Sequence, residues 1–441
     1  MIVVGAGFAG LSAALHLSTS ERRCVVLEAS DRIGGRALTD YRLGDGVPLE
    51  LGAQMVHGRT AVTHGWIARE GLRTRPLPVG QRSRVVVGGR VARFPWLAVP
   101  FHPVVGTRAA YDGFVRQPRR IDAARSPDRS LQQFLDAGST SPAARRIVEM
   151  LYAHVYAADP DQIGVLGPAE EYRLAREPYG FRYFQLVEGY SALVQRAAAR
   201  LGDRIRVGYA VTEVQVLPDG VRVAAQEPSG ELIEFWAMAA IITVPLGVLK
   251  TGAIRFDPPL PEEKRSAIER ISFGDAYALQ LRVRGSTMRR ALGDFALVYG
   301  GTPTSFYRPR VGLGEATELV TAFTVGREAR RRATLPDDEL VAETVAEWNA
   351  LLPADAGLGT VVGSAIHRWT TDPWVRGGYS FLPPGTDLNE RRALAEPVEG
   401  RIFFAGEATD VAGQSGTVAG AIDTGTRAAQ EFLTAAAERL E

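Results

Sequence analysis

The sequence predicts an α/β fold: a Rossmann-like domain with a second, α+β domain inserted into it. Residues 2–5 and 23–28 have the composition of strands, and between them residues 8–18 have the apolar face of a helix. Strand-forming segments recur near the middle and the end of the chain, where they can complete one sheet. In between, residues 76–130 change in texture and are rich in proline and glycine.

The remaining elements follow from local patterns. Helices are expected at 141–155, 189–201, 337–352 and 420–439. Strands are expected within 205–244, at 273–283, and around a hairpin signal at Gly88 and Gly89. Turns are expected at 218–220 and 228–230, inside the first of these stretches. These elements predict a discontinuous first domain (1–75, 195–280 and 365–441) and an inserted domain (76–194 and 281–364).

The composition is that of an ordinary globular protein. The 441 residues are 46% hydrophobic and carry a net charge of +1, so nothing points to nucleic acid or an anionic membrane surface. The longest apolar run, 235–249, is too short to span a bilayer. Cys24 is the only cysteine and is expected to be buried. The chain opens in a strand without the pattern of a signal peptide, so a cytoplasmic location is expected.

A glycine-rich turn follows the first strand. The segment "GAGFAG" (5–10) fits the pattern G-x-G-x-x-G, and Glu28 ends the next strand about 20 residues later. Gly5 and Gly7 let the backbone turn and approach a pyrophosphate, while Gly10 lets the helix pack close to the sheet. Glu28 is placed to accept hydrogen bonds from ribose hydroxyls. Strand, turn, helix and acid together predict a dinucleotide site.

Two further stretches suit the same site. "RIGGR" places the guanidinium groups of Arg32 and Arg36, which suit phosphate, around glycines that allow close approach of the backbone. Near the end of the chain, a strand runs into Glu407 and then into a helix that starts near Thr417 or Val418. Small residues at the start of this helix suit contact with a flat ring, and the helix dipole suits a developing negative charge.

Seven stretches occur along the chain in this order: "GAGFAGLSAA", "LEASDRIGGR", "LELGAQMVHG", "IITVPLGVLK", "IRFDPPLPEEKRSAI", "WVRGGYSFLPPG" and "FAGEATD". Together they resemble the flavin-containing amine oxidase family, which includes monoamine oxidases, polyamine oxidases and flavin-type histone demethylases. The resemblance implies an FAD-binding domain of the glutathione-reductase type, and a substrate domain whose tunnel ends at the flavin. It also implies hydride transfer from the carbon next to nitrogen, with molecular oxygen reduced to peroxide.

The resemblance assigns cofactor contacts residue by residue. Glu28 would hold the ribose, Arg36 would lie near the pyrophosphate, and the backbone of Val211 would meet the adenine. Glu407 would line the phosphate and ribitol region, and residues 52–53 would pass close to the isoalloxazine ring. The predicted cofactor set is Gly5, Gly7, Gly10, Glu28, Ala29, Arg32, Gly35, Arg36, Gly52, Ala53, Gln54, Val211, Gly406, Glu407, Thr417 and Val418.

The substrate site is expected to depart from the monoamine oxidase pattern. Monoamine oxidases flank the flavin with two tyrosines; Tyr379 matches one, and Thr417 occupies the position of the other. They attach FAD through a cysteine, and Gly378 occupies that position here, so non-covalent FAD is expected. Gln54 and His57 match the polyamine oxidase version of their stretch and are further candidate catalytic residues.

Two more positions bear on activity. Amino-acid oxidases of this fold often place an arginine for the substrate carboxylate where this chain has Met55, which disfavours a free α-amino acid; Arg327 is a candidate substitute. Most amine oxidases of the family carry a lysine that helps oxygen to react, and Ala278 occupies that position. Without this lysine, the enzyme is expected either to react slowly with oxygen or to use a different group to help oxygen react. Alternatively, the space that the lysine leaves admits a bulkier substrate.

Three functions fit the sequence. The first is an FAD-dependent oxidase that converts a primary or secondary amine to an imine. The second is a secondary-metabolism enzyme that oxidises an amine or amide nitrogen of a larger molecule and traps the imine intramolecularly, with an L-amino-acid oxidase as a further alternative. The third is a non-catalytic flavin-binding scaffold. The expected partners are a small amine or amide and molecular oxygen, without nucleic acid, membrane or metal, and a homodimer is left open.

Overall fold

The computed structural model describes residues 1–77, 82–87, 90–93, 128–138, 142–175, 182–293, 297–300, 303–308 and 317–438. The strands are β1 (Ile2–Val4), β2 (Val25–Glu28), β3 (Thr39–Asp40), β4 (Leu49–Glu50), β5 (Val56–His57), β6 (Thr74–Leu77), β7 (Ser83–Val87), β8 (Arg90–Arg93), β9 (Tyr183–Leu186), β10 (Ile205–Val207), β11 (Ala210–Leu217), β12 (Gly220–Gln226), β13 (Leu232–Ala237), β14 (Ala240–Ile242), β15 (Arg255–Asp257), β16 (Ser272–Phe273), β17 (Ala276–Arg284), β18 (Leu297–Tyr299), β19 (Thr304–Tyr307), β20 (Thr317–Val325), β21 (Thr360–Ala365), β22 (Ser380–Phe381) and β23 (Ile402–Phe404). The helices are α1 (Phe8–Thr19), α2 (Thr63–Arg69), α3 (Leu131–Asp136), α4 (Pro142–Tyr156), α5 (Leu166–Leu174), α6 (Tyr190–Ala199), α7 (Leu246–Leu249), α8 (Glu262–Arg270), α9 (Met288–Leu292), α10 (Gly326–Arg332), α11 (Asp337–Leu351), α12 (Leu388–Ala395) and α13 (Val418–Glu438).

A parallel sheet gathers strands from the start, the middle and the end of the chain. Its order is β10–β2–β1–β14–β23, and every neighbouring pair is parallel. Most of its residues are fully buried because α1 and α13 pack together over one face and a second apolar core covers the other. The prediction that distant strand segments form one sheet is confirmed, as is the buried position of Cys24.

The ends of the elements differ from the expected ones by one to a few residues. The last helix starts at Val418 because Thr417 caps it: the amide of Gly420 donates to the Thr417 hydroxyl at 3.0 Å. The hairpin strands β7 and β8 pair antiparallel, and Gly88 and Gly89 lie outside the described residues.

A seven-stranded sheet carries the strand expected at 273–283. Its order is β21–β17–β20–β19–β18–β7–β8, and β17 pairs antiparallel with β20, which sets Ala278 opposite Phe323. The expected boundary between residues 280 and 281 falls inside β17, and β17 belongs to this sheet along its whole length. The division into domains otherwise stays a prediction.

The described helices include none that is both long and apolar enough to cross a membrane. Among the same residues, no group of three or more His, Cys, Asp or Glu side chains is arranged to hold a metal ion. What the fold does provide is a cavity between the parallel sheet and the seven-stranded sheet, with lining residues from both.

Candidate active site

A cavity of about 540 Å³ runs between the two sheets and has two parts. The nucleotide half is lined by residues of β1, β2, α1 and β11, together with residues 29–37 and 369–376. The chamber is lined by residues of β5, β7, β9, β17–β20 and α4, together with Gln54 and Met55. The two parts meet at a junction formed by Gly52, Ala53, Gly378–Ser380, Gly406, Glu407 and Thr417.

The glycine-rich turn forms one wall of the nucleotide half. Gly5 and Gly7 line the cavity, and α1 begins directly after Gly7. A Cβ built on Gly35 would lie 3.4 Å from the Cα of Gly7, so the two glycines keep this wall bare. Gly10 does not line the cavity; a Cβ there would lie 1.9 Å from the carbonyl oxygen of Gly5, so glycine is required for helix and strand to pack this closely. The backbone thus leaves room for a phosphate group at the start of α1.

Glu28 is held in place by backbone amides. Its two carboxylate oxygens accept hydrogen bonds from the amides of Ala6 at 2.7 Å and Ser30 at 2.9 Å. Burial raises the pKa of Glu28, and these two hydrogen bonds and Arg32 oppose the rise. The carboxylate lines the cavity at the end of β2, where each oxygen can accept a further hydrogen bond from a ribose hydroxyl.

Arg36 and Glu407 tie the junction together. The Nη1 atom of Arg36 donates to the carbonyl of Gly378 at 2.7 Å and to Glu407 at 2.9 Å. Glu407 also accepts from the Ser380 hydroxyl at 2.6 Å and from the amide of Gly416 at 2.9 Å. Burial favours the neutral acid, but Arg36 and these hydrogen bonds outweigh it and lower the pKa of Glu407. Glu407 is therefore ionised and fully engaged at neutral pH.

A buried ion pair supports this junction from behind. Arg391 has no exposed side-chain surface; it donates to Glu171 at 2.8 Å and to the Ser380 hydroxyl at 2.7 Å. Ser415 donates to the same Glu171 oxygen at 2.9 Å. Sequence reasoning missed this group because Arg391 stands in a charged helical stretch, "NERRALA", that looks solvent-exposed. The capping residues mark the start of α12 in the sequence, but only the folded structure shows that Arg391 lies behind Glu407.

Buried donors in the wall fit a bound FAD. Within the part of the chain that the structure describes, Nη1 of Arg32 and Nε2 of Gln54 are buried and have no hydrogen-bond partner. The guanidinium of Arg32 lies 5.5 Å from the ring centroid of Trp369, and Gly406 has a φ of 130° with open space beside it. Arg32 would hold the pyrophosphate, and Gln54 would donate at the ring. The rest of the predicted cofactor set, apart from Gly10, also lines the cavity: Ala29, Gly52, Ala53, Val211 and Val418.

Tyr379 links the junction to the chamber. Its hydroxyl donates to the backbone carbonyl of His154 at 2.5 Å, and burial raises its pKa, so the phenol stays protonated. The ring packs on Gly416, where a Cβ would lie 3.2 Å from the tyrosine ring, and on the apolar group that contains Ala276 and Phe323. The hydrogen bond fixes the ring plane at the inner end of the chamber.

Two histidines in the chamber are uncharged at neutral pH. Burial lowers the pKa of His57 to about 4, and it lowers the pKa of His154 to about 4 as well. The Nδ1 atom of His154 contacts the carbonyl of Met150 at 2.8 Å, which favours the tautomer with a proton on Nδ1. Both rings therefore act as neutral polar groups in the wall.

Aromatic rings make up most of the remaining wall. Tyr183 meets the ring of His57 edge-on at 5.2 Å, and Tyr299 meets the ring of His154 at 5.9 Å. Tyr307 packs on Phe323 at 6.3 Å. Sequence reasoning missed these aromatic residues because each comes from a different strand and no local motif marks it.

Three small residues occupy the positions where the family pattern has larger or reactive ones. Ala278 is buried and lines the chamber beside Ala276. Thr417 caps α13 and lines the cavity near Tyr379, so the aromatic pair of monoamine oxidases is half present. Gly378 lies where a Cβ would come within 3.3 Å of the Cβ of Ala276. Glycine at this position leaves no nucleophile for a covalent flavin link.

Arg327 is a correction to the sequence prediction. It lies in the first turn of α10 outside the cavity lining, its side chain is 61% exposed, and it forms an ion pair with Asp161 at 2.5 Å. Its backbone amide donates to Asp159 at 2.9 Å. The proposal that Arg327 receives a substrate carboxylate is therefore wrong. The other candidate catalytic residues, Gln54, His57, Ala278, Tyr379 and Thr417, all line the cavity.

Comparisons with known proteins identify the family of the chain. A family model for flavin containing amine oxidoreductases matches residues 8–433. Polyamine oxidase 2 from Arabidopsis thaliana is 31% identical over 464 residues, which cover 100% of this chain and 89% of that protein. Lysine-specific histone demethylase 2 from Homo sapiens is 26% identical, covering 98% of this chain and 53% of that protein.

Two solved structures share the fold. Putrescine oxidase bound to putrescine has a TM-score of 0.84 at 23% identity, with 98% of both chains covered. Cyclohexylamine oxidase from Brevibacterium oxydans has a TM-score of 0.84 at 21% identity, with 100% of this chain and 99% of that chain covered. The chain belongs to the flavin-containing amine oxidoreductase family and is an FAD-dependent enzyme that acts on amines.

Proposed function

We propose that the protein is an oxidase that removes a hydride from the carbon bonded to an amine nitrogen, forms the imine, and passes the electrons to oxygen to give hydrogen peroxide. The observation that carries the proposal is the continuous cavity, in which a dinucleotide half opens at Tyr379 into an aromatic chamber. Bound FAD supplies the hydride acceptor. The residues of the chain supply orientation and exclude water.

The chamber suits the protonation state that the reaction needs. A protonated amine is a poor hydride source, and an alkylamine with a pKa of about 10.4 needs roughly 4 kcal/mol to become neutral near pH 7.5. Aromatic walls and the uncharged rings of His57 and His154 disfavour a cation and so lower that cost. The ring of Tyr379, which is held by the hydrogen bond to the His154 carbonyl, would orient the amine beside the junction.

A second candidate is an oxidase for a larger secondary metabolite, with the imine trapped within the same molecule. Ala278 and Thr417 favour it, because both lie in the cavity wall, where most amine oxidases of the family have a lysine and monoamine oxidases have a tyrosine, respectively. An L-amino-acid oxidase is less well supported, since Arg327 lies at the surface and Met55 replaces the usual carboxylate-binding arginine.

Anaerobic bleaching of the flavin absorbance tests both candidates. Purified protein is mixed without oxygen with simple amines, N-acyl amines and amino acids, and oxygen is then admitted while peroxide is measured. Bleaching by an amine followed by stoichiometric peroxide supports the oxidase. Mass spectrometry of the product separates a free imine or its hydrolysis product from a cyclised one. A bound flavin that no compound bleaches would favour a non-catalytic scaffold.

Acid denaturation tests how the flavin is held. Because Gly378 offers no nucleophile, FAD is expected to pass entirely into the supernatant when the protein is precipitated with acid. Yellow colour that stays with the pellet would reveal a covalent link.

A further inference from the structure

The charges of the cavity are divided unevenly between its two parts. Among the residues that the structure describes, the carboxylates that line the cavity are Glu28, Asp372 and Glu407. Glu28 and Asp372 both attract the positive charge of Arg32 in the nucleotide half, and Asp372 is hydrogen-bonded to His367 at 2.7 Å. The carboxylate oxygens of Glu407 accept hydrogen bonds from Arg36, Ser380 and the amide of Gly416 at the junction. All three carboxylates are therefore engaged before any substrate enters.

The described wall of the chamber, in contrast, is composed of uncharged side chains. It contains phenol rings, a phenylalanine, alanines and other aliphatic side chains, a glutamine and two histidines that burial keeps neutral. Glu347 acts on His154 through space, but it lies outside the lining and forms an ion pair with Arg332 at 2.7 Å. Among the described residues, this chamber stabilises apolar and neutral groups. It offers a cation ring faces and neutral acceptors, such as the Nε2 atom of His154 and the amide oxygen of Gln54, but no carboxylate.

Such a wall discriminates between amines by the charge of the part that does not react. The reacting nitrogen loses its proton in any case, but a second ammonium group in the chamber would be buried without a carboxylate partner, which is strongly unfavourable. Several relatives of this chain are named for polyamines, and a solved neighbour is shown with putrescine, a diamine. This chamber differs from what a dication requires.

We infer that the enzyme acts on amines with one basic nitrogen and an uncharged, apolar remainder, and that it rejects short diamines and polyamines. The inference rests on the proposed function, because it concerns the substrate of the same reaction. The chamber recognises the remainder by contact with rings such as Tyr299, Tyr307 and Phe323, and the space beside Ala276 and Ala278 favours a ring or a branched chain over a linear one.

The size of the discrimination follows from the ionisation of the second nitrogen. With a pKa of about 10.4, an alkylamine is neutral in roughly one molecule in 800 at pH 7.5 and in roughly one in 9 at pH 9.5. If only the neutral distal nitrogen enters the chamber, a diamine is disfavoured several hundredfold at pH 7.5. The preference then falls about tenfold for each pH unit.

Matched pairs of substrates test the inference on the native holoenzyme. Butylamine is compared with 1,4-diaminobutane, and cyclohexylamine is added as a bulky monoamine, in anaerobic stopped-flow experiments that give the rate of flavin reduction against amine concentration. We expect the second-order rate constant for butylamine to exceed that for the diamine at least 100-fold at pH 7.5. The ratio should shrink to about tenfold or less at pH 9.5, because the effect comes from charge.

A pair of variants tests whether adding a carboxylate to the chamber makes the enzyme accept a diamine. Tyr299→Glu places a carboxylate in the chamber wall, and Tyr299→Gln is its uncharged control. We expect Tyr299→Glu to raise the ratio of diamine to monoamine rate constants at least tenfold over Tyr299→Gln. If neither variant folds, the native substrate pairs and their pH dependence decide the matter alone.

The outcomes separate the inference from the proposed function. Equal or faster reduction of the native enzyme by 1,4-diaminobutane would overturn the inference and leave amine oxidation standing. A ratio that stays constant between pH 7.5 and 9.5 would overturn the role of charge. A flavin that neither these amines nor a wider panel can reduce would overturn the proposed function itself.

Discussion

The nucleotide half of the cavity is charged and densely hydrogen-bonded, whereas the described wall of the chamber is aromatic and uncharged. Glu28, Arg36 and Glu407 each have defined partners before a cofactor enters. The chamber instead presents tyrosine rings and the neutral side chains of His57 and His154. The contrast follows from what each part must hold: a cofactor with permanent charges needs fixed partners, and an amine gives up hydride only after it has lost its proton.

The largest effect is expected in the nucleotide half. Glu28→Arg removes the acceptor for the ribose hydroxyls and places a cation beside Arg32, and each charge-assisted hydrogen bond is worth about 1.5–3 kcal/mol. We expect FAD to bind at least tenfold more weakly, measured as flavin content per protein and by titration of the apoprotein. Glu28→Gln, which keeps one acceptor oxygen, is the control and should lose less. Full FAD occupancy in Glu28→Arg would mean that the end of β2 does not meet the ribose.

At the boundary between the two parts, Tyr379→Ala should affect catalysis more than stability. The ring lines the chamber beside the junction, so its loss should slow anaerobic flavin reduction at least tenfold by loosening the position of the amine. Tyr379→Phe keeps the ring but loses the hydrogen bond to the His154 carbonyl, so its rate of flavin reduction should lie between those of the native protein and Tyr379→Ala. An unchanged reduction rate with a large fall in melting temperature would assign the ring to packing alone.

Within the chamber, Ala278→Lys should change the two half-reactions in opposite directions. The lysine would place a positive charge where oxygen is reduced, and charge of this kind stabilises a developing anion, so reoxidation should become several-fold faster. The side chain would also occupy substrate space and slow reduction. Ala278→Met, similar in length and uncharged, should slow reduction without speeding reoxidation. Two unchanged rates, measured by stopped-flow absorbance, would mean that position 278 does not face the reacting centre.

The last effect leaves the reaction aside and concerns the pH dependence of stability and the neutral state of His154. Its pKa is about 4 in the folded protein, below its ordinary value of 6.5, so the unfolded chain binds the extra proton first as the pH falls. Stability should therefore decline between pH 6.5 and 4, with a contribution of about 3 kcal/mol from this residue. In His154→Gln the decline should be smaller by that amount, measured by denaturant unfolding at several pH values. His16→Gln on α1 is the control; an equal decline in native protein and His154→Gln would contradict the buried neutral state.

How far the sequence could predict each part also differs. The nucleotide half is encoded locally: Gly5, Gly7 and Glu28 lie within one strand–turn–helix–strand unit, and their spacing alone indicates a dinucleotide. Tyr379 and Ala278 could be placed only through the family resemblance, which gave the strand and the register. Thr417 was predicted as part of the cavity, but its role in capping α13 became clear only from the structure.

The rest of the chamber could not be predicted, for a physical reason. Tyr183, Tyr299 and Phe323 lie on three different strands, and each stands in a stretch that is ordinary for a buried strand. Tyr299 and Phe323 come together in the seven-stranded sheet, but Tyr183 belongs to a separate small sheet of β5, β9 and β6. The three rings become one wall only when these two sheets and α4 line the same cavity. Arg327 was misplaced for the same reason, since its neighbours in sequence gave no sign that Asp159 and Asp161 hold it at the surface.

A structure of the holoenzyme with a non-reacting amine inhibitor would decide whether one cavity serves both cofactor and substrate. The expected result is the adenosine ribose beside Glu28, the isoalloxazine ring between residues 52–53 and Tyr379, and the inhibitor among the rings of the chamber. A flavin ring bound elsewhere, or an inhibitor bound outside the chamber with the flavin in place, would contradict the division of this cavity into a nucleotide half and a substrate chamber.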